Sequence, residues 1–189
     1  MDVRLAARTD LPGVLALLDA LFVDDLPEAD RAEGFLSVRF TLSELEDIVT
    51  AGGIVIAIDE GRVVGALCAE PWKRGGGAGV IGAMSRAIER ACFEERPLAS
   101  RRILIYGPVA IAPSHRGRHL LRRLYEALLR FGAGRWEIGI AFVAHANPHS
   151  MRAHVDALGM VRAAEFENAG HGYALLAFPF PTETGRPGT

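Results

Sequence analysis

The stretch that most constrains this chain is residues 103–131. Ile103-Leu-Ile-Tyr-Gly-Pro-Val-Ala-Ile-Ala-Pro113 is an apolar run of strand-forming residues stopped by a proline. Leu120, Leu121, Leu124, Leu128 and Phe131 then recur at helical spacing, while Arg122, Arg123 and Arg130 lie off that stripe. Between them stands Ser114-His115-Arg116-Gly117-Arg118-His119. A strand, a short polar turn and a helix start make an anion site. The first helical N–H groups lack internal partners, and the positive end of the helix dipole faces the turn. Arg116 and Arg118 add positive charge there.

These residues resemble the acyl-CoA-binding core of the GNAT superfamily of N-acyltransferases. The family pattern is a strand ending in Val-x-Pro, then Arg or Gln-x-x-Gly-x-Gly or Ala, then a helix. Here it reads Ile111-Ala112-Pro113, Ser114-His115, then Arg116-Gly117-Arg118-His119-Leu120-Leu121. The arginine, its distance from the proline and the following helix match. His119 and Leu121 replace the two family glycines, which let the backbone approach a pyrophosphate closely. The resemblance implies an α/β (α+β) fold: a mixed, twisted sheet of about seven strands with flanking helices, the fourth and fifth strands splayed to admit the cofactor. It also implies that strand residues Val109, Ala110 and Ile111 hold the thioester. The amides of Arg116, Gly117, Arg118, His119, Leu120 and Leu121 would hold the pyrophosphate. Arg123 is a candidate for the CoA 3′-phosphate.

A second constellation supports the first. Asn147-Pro-His-Ser150-Met-Arg-Ala-His154-Val-Asp-Ala-Leu-Gly159 resembles the second GNAT signature, in which an Asn after the fifth strand binds the pantetheine arm. Asn147 and Ser150 match by spacing. His154 occupies the place where many members carry a tyrosine that protonates the leaving thiolate. An imidazolium, with pKa about 6.5, can protonate a thiolate whose conjugate acid lies near 8.5. The distance from Asn147 to Gly159 is one residue longer than the family pattern, which leaves the register of the helix's second half open. An ammonium acceptor must also lose a proton. Glu70, ending the third expected strand, and Tyr106, on the central strand, are the candidate bases, with a water chain as the alternative.

Composition fits this reading. The chain has 189 residues, half of them hydrophobic, enough for one domain with a substantial core. Lys+Arg 21 against Asp+Glu 23 gives a net charge of -2, without the basic footprint of a nucleic-acid binder. The two cysteines, Cys68 in a strand-like run and Cys92 in a helical one, read as reduced, mostly buried thiols. There is no secretory h-region and no apolar run of membrane-spanning length, so a cytoplasmic protein is expected. Of His145, His149 and His154, the first stands at a strand end and the other two are five apart, not the i, i+4 of a helical zinc pair, and no metal is expected. Ser150 and His154 share a helix at i, i+4, but no nucleophile elbow surrounds the serine.

Along the chain, 3–7 reads as a strand. Thr9 and Asp10 cap a helix that has Pro12 in its first turn and its apolar stripe over 14–21. Asp24–Glu33 reads as an acidic loop, and 41–50 as a helix with a Ser43/Glu46 capping box. Residues 54–58 and 63–69 form a hairpin, and Lys73–Gly77 a flexible loop. Residues 80–95 form a helix, an elaboration of the GNAT plan that lies over the acceptor site or at a subunit contact. Then follow a strand at 138–144, a helix at 148–158, strands at 160–167 and 173–178, and a disordered tail from 179 after a single domain over 1–178. The activity implied is acetyl transfer from acetyl-CoA to an amine. The alternative is a non-catalytic acyl-CoA sensor on the same fold. The resemblance also points to a homodimer.

Overall fold

The computed structural model describes residues 1–25, 35–36 and 38–182. The acidic loop expected over 24–33 therefore lies mostly outside the described residues; Val23–Asp25 form a 3₁₀ turn. The strands are β1 (Asp2–Leu5), β2 (Gly53–Asp59), β3 (Arg62–Pro71), β4 (Cys92–Phe93), β5 (Arg96–Pro97), β6 (Ile103–Ile111), β7 (Ile138–Ala144), β8 (Val161–Asn168) and β9 (His171–Pro179). The helices are α1 (Leu11–Asp19), α2 (Leu42–Ala51), α3 (Gly79–Arg90), α4 (Leu120–Gly132) and α5 (Pro148–Arg152). The main sheet has seven strands in the order β1-β2-β3-β6-β7-β9-β8. It is mixed: β6–β7 is parallel, whereas β1–β2, β2–β3, β7–β9 and β8–β9 are antiparallel. This is the mixed seven-stranded α/β fold that the sequence led us to expect. The chain divides into two compact units, 1–70 with 106–128, and 71–105 with 129–189.

In the first unit, β2 and β3 form a hairpin around Glu60-Gly61. Both residues are left-handed, at φ 48° and 76°, the backbone that a two-residue turn between twisted strands requires. Leu11, Val14, Leu17 and Leu18 of α1 and Leu45 and Ile48 of α2 pack on Ile54, Ile56, Ala66 and Cys68. The starts of α1 and α2 both differ from the sequence reading. The box that caps α2 is Thr41/Glu44, not Ser43/Glu46. Thr41 Oγ1 accepts the Glu44 N–H at 3.3 Å, and Glu44 Oε2 accepts the Thr41 N–H at 2.7 Å. Both pairs have the right spacing; Thr41 wins because its extended backbone ends the preceding segment. Asp10 precedes α1 but makes no side-chain cap to it. Its carboxylate instead binds the Arg4 guanidinium at 2.7 and 2.9 Å.

In the second unit, β6 pairs with β7 through Ile103↔Ile138, Leu104↔Gly139 and Ile105↔Ile140. Gly139 leaves the space that the Phe178 ring fills; a Cβ there would overlap it. Met84 and Ile88 of α3 pack on the apolar face of these strands with Leu175 and Ala177. Helix α3 ends at Arg90, five residues short of the expectation. Ala91 turns extended (ψ 151°), and β4 and β5 form a small hairpin around Glu94 and Glu95, both left-handed at φ 50° and 61°. Cys92 is therefore an exposed strand residue rather than a buried helical one. The ordered chain continues past the boundary expected at 179, where β9 ends. Phe180 is buried, and its N–H reaches the Glu137 carbonyl at 3.0 Å. Residues 183–189 lie outside the described set. No helix among the described residues is long and apolar enough to cross a membrane.

Candidate functional site

The first unit holds the strand–turn–helix. Where β6 ends, the Ala112 N–H donates to the Val64 carbonyl at 2.9 Å, tying the strand end to β3. Pro113–His115 form a 3₁₀ turn, closed by the His115 N–H on the Ala112 carbonyl at 2.8 Å. Two left-handed residues follow, Gly117 at φ 71° and His119 at φ 57°. His119 therefore keeps the backbone that glycine takes most easily, although it carries a side chain. The resulting loop delivers the chain into α4, and its own side chain is exposed. Leu121 by contrast is an ordinary residue of the first helical turn, where no left-handed backbone is needed.

Helix α4 is seated by its apolar stripe. Leu120, Leu124 and Ala127 are buried. A Cβ built on Gly65 would stand 3.2 Å from both Leu120 Cδ2 and Leu124 Cδ1, so glycine at that point of β3 lets the helix close down on the strand. This contact fixes where the first N–H groups of α4 lie. Arg116 is half-buried, and Arg118 and His119 are exposed around them. Arg123, a candidate for a phosphate, donates to the Met1 carbonyl at 3.3 Å. Tyr106 is buried, edge-on to Tyr125 with ring centroids 6.3 Å apart. Burial, with Tyr125 adding to it, drives its phenol far above the ordinary range. Tyr106 thus holds its proton at neutral pH and is unsuited to act as a base. Glu70 is exposed at the end of β3, where the backbone of Ala69 and Glu70 crosses Gly52 too closely for any Cβ there.

The second unit holds Asn147, Ser150 and His154. Asn147 Oδ1 accepts the Ser150 N–H at 3.0 Å, so the side chain is the N-cap of α5. The extra residue before Gly159 is absorbed by a change of helix type. After Arg152 the chain continues as a π-helical turn over Ala153–Ala157, and the Met160 N–H closes on the His154 carbonyl at 3.0 Å. His154 lies in that turn and is buried. Its Nδ1 is 2.7 Å from the Ser150 carbonyl oxygen, an acceptor, so Nδ1 carries the hydrogen. Burial lowers its pKa, and the bond to Ser150 only partly opposes this. The imidazole is neutral at pH 7, the form without a surplus proton, and that works against the role of acid suggested by its position in the sequence. His145 pairs instead with Glu165 at 2.6 Å. Among the described residues, no three His, Cys, Asp or Glu side chains cluster as metal ligands would.

A family model described as "Acetyltransferase (GNAT) family" matches residues 16–160. No curated protein sequence matches the chain. Among solved structures, the ribosomal-protein-alanine N-acetyltransferase of Brucella melitensis is 21% identical, with 95% of this chain and 99% of that one covered, at a TM-score of 0.59. A phosphinothricin acetyltransferase from Sinorhizobium meliloti, in complex with acetyl-CoA, is 17% identical, with 99% and 92% covered and a TM-score of 0.62. A putative acetyltransferase from Salmonella typhimurium, with its cofactor acetyl-CoA, is 16% identical, with 100% and 98% covered and a TM-score of 0.59.

Proposed function

Because the chain belongs to the GNAT family of acetyltransferases, whose cosubstrate is acetyl-CoA, we propose that it transfers the acetyl group directly to an amine. The observation that carries this reading is the loop from Pro113 to Leu121, which keeps a left-handed residue at 119 and leads into a seated helix. The N–H groups of Arg116 to Leu121 face a diphosphate in this reading, with the α4 dipole and the Arg116 and Arg118 charges supporting them. Backbone, not side chain, does most of the binding, which is why the chain tolerates histidine and leucine at two family glycine positions.

The chemistry follows from what must balance. The amine nitrogen forms a bond to the thioester carbon. The carbon–sulfur bond breaks, the thiolate leaves, and the ammonium nitrogen loses a proton. The N–H groups of Val109 and Ile111 are assigned to the carbonyl oxygen, whose charge grows in the tetrahedral intermediate. Asn147 spends its carbonyl oxygen on the cap of α5, so its amide NH₂ is the end suited to a pantetheine carbonyl. Holding amine and thioester together supplies much of the rate. Glu70, exposed near the end of β3, is the better placed of the two candidate bases, since Tyr106 holds its proton. His154 is retained as a residue to test, in its neutral form. The names of the neighbours span a ribosomal-protein alanine and phosphinothricin, so likeness of fold does not select the acceptor.

The buried, neutral His154 favours a second reading, a sensor that binds acyl-CoA without turnover. Calorimetry with acetyl-CoA and CoA tests the shared part: micromolar binding is expected, and no heat from folded protein refutes both readings. Thiol release from acetyl-CoA with a panel of amines, polyamines, aminoglycosides and peptides separates them. Release supports the enzyme; tight binding without release supports the sensor.

A further inference from the structure

We propose that the outer edge of β8, beside helix α3, binds an extended peptide that carries basic residues at alternate positions. The surface lies within the second unit and does not depend on the acetyl-CoA reading. β8 closes the sheet order, and among the described residues β9 is its one strand partner. The turn between them, Ala169-Gly170, is left-handed at both residues (φ 49° and 78°), which makes Asn168 and His171 the first hydrogen-bonded pair. Hydrogen-bonded and open pairs alternate along an antiparallel ladder. Phe166 and Ala164, opposite Tyr173 and Leu175, therefore bond to β9. The N–H and C=O groups of Glu165 and Glu167 point away from the sheet. The bulge between Arg162 and Ala164 ends this regular edge.

A groove of about 610 Å³ opens between β8 and α3, lined by Arg86, Ala87 and Arg90 of α3, by Cys92, and by Glu165 to Glu167. Ala164 and Phe166 pack into the core under α3. Glu165 and Glu167 alternate with them, so their side chains take the other face, where both are exposed. Charge then chooses the occupant. Antiparallel self-pairing over 164–168 sets outward residues against outward residues, so carboxylate faces carboxylate. Like charges directly opposite are destabilising, and a charged edge of this kind keeps copies apart. A strand with Lys or Arg opposite Glu165 and Glu167 turns the same geometry into two cross-strand ion pairs, added to the backbone bonds of an extended ladder. Glu165 also meets His145 at 2.6 Å and Arg162 at 4.0 Å, so Glu167 carries the larger share of the recognition. The residue between the two basic ones points to the α3 side. There Phe166, Arg86 and Arg90 suit a small or acidic side chain.

The test adds a blocked peptide, acetyl-Ala-Lys-Ala-Lys-Ala-amide, to the full chain. Calorimetry reads affinity, and the rate at which the exposed Cys92 reacts with a thiol reagent reads location. Saturable binding that slows Cys92 is expected, with the Glu-for-Lys peptide about tenfold weaker or worse. N-methylation at both lysines, whose N–H groups face β8, should cost at least about tenfold, whereas N-methylation of the central alanine, which faces away, should stay within about twofold. Glu167→Lys should weaken the lysine peptide about tenfold. Melting temperatures show whether that variant is folded, and the methylated peptides need no variant at all. No saturable binding up to about 1 mM peptide, equal binding of the lysine-methylated peptide, or Cys92 labelling that the peptide leaves unchanged overturns the edge site. So does a wild-type dimer that Glu167→Pro, which removes an outward N–H, returns to monomer, because the edge then belongs to a second copy. CoA titration is unaffected by any of these results, so failure here leaves the acetyl-CoA reading standing.

Discussion

Substituting His119 by glycine and, separately, by valine probes the conformation on which the anion loop depends. His119 is held at φ 57°, where the Cβ of an L-residue crowds the following carbonyl oxygen. That costs about 1–2 kcal/mol. Glycine removes the crowding, but it frees the unfolded chain by about 0.4–1 kcal/mol. The net gain for His119→Gly is therefore about 0.5 kcal/mol. Valine, branched at Cβ, fits the left-handed region worse than histidine and loses on the order of 1.5 kcal/mol more. The gap between the two variants is about 2 kcal/mol, or roughly 4–8 °C in melting temperature for a chain of this size. Thermal unfolding by circular dichroism reads it directly. CoA affinity should follow the same order, with the glycine variant binding at least as tightly as wild type. If the valine and glycine variants melt within a degree of each other, His119 is not left-handed, and the argument that the loop keeps its shape without glycine fails.

Two further predictions concern charge and thiols. The Asp10 carboxyl is held below its usual range, chiefly by its hydrogen bonds to Arg4, so its contribution to stability is present above the unfolded carboxyl's pKa of 3.8 and is lost as pH falls through the lower folded value. Asp10→Asn should therefore melt earlier than wild type at pH 7 and converge with it on acidification below that range; a constant difference at every pH would contradict this. Folded protein should react with a thiol reagent at one site only. Cys92 is exposed, whereas burial pushes the Cys68 thiol up to about 12, so Cys68 should label only after unfolding. Two fast equivalents in native protein would refute the placement.

What the sequence revealed, and what it hid, divides along the range of the interactions. The stripe of Leu120, Leu124 and Leu128 and the stop at Pro113 are local patterns, and they located the strand–turn–helix. The two hairpins likewise announced themselves through Glu60-Gly61 and through Asn168 to Gly172. The extra residue before Gly159 was countable, but its outcome, a π turn that buries His154, depends on how Met160 and its neighbours close the helix. Residues 92–95 read as the end of a helix because the apolar spacing through Ala91 and Cys92 suits one. The hairpin there is settled instead by long-range partners, among them the Arg101 guanidinium on the Phe93 carbonyl. The Asp59–His115 contact joins positions 56 residues apart, and nothing local in either segment signals it. His154 shows the same limit for chemistry: its spacing from Asn147 suggested an acid, while its protonation follows from burial, which single-sequence patterns register poorly.

The most direct measurement is a CoA titration followed on the backbone amides by NMR. The account predicts saturating shifts at micromolar ligand, with the largest at the amides of Arg116 to Leu121. Saturation with those amides unmoved, or no saturation at all, would contradict it.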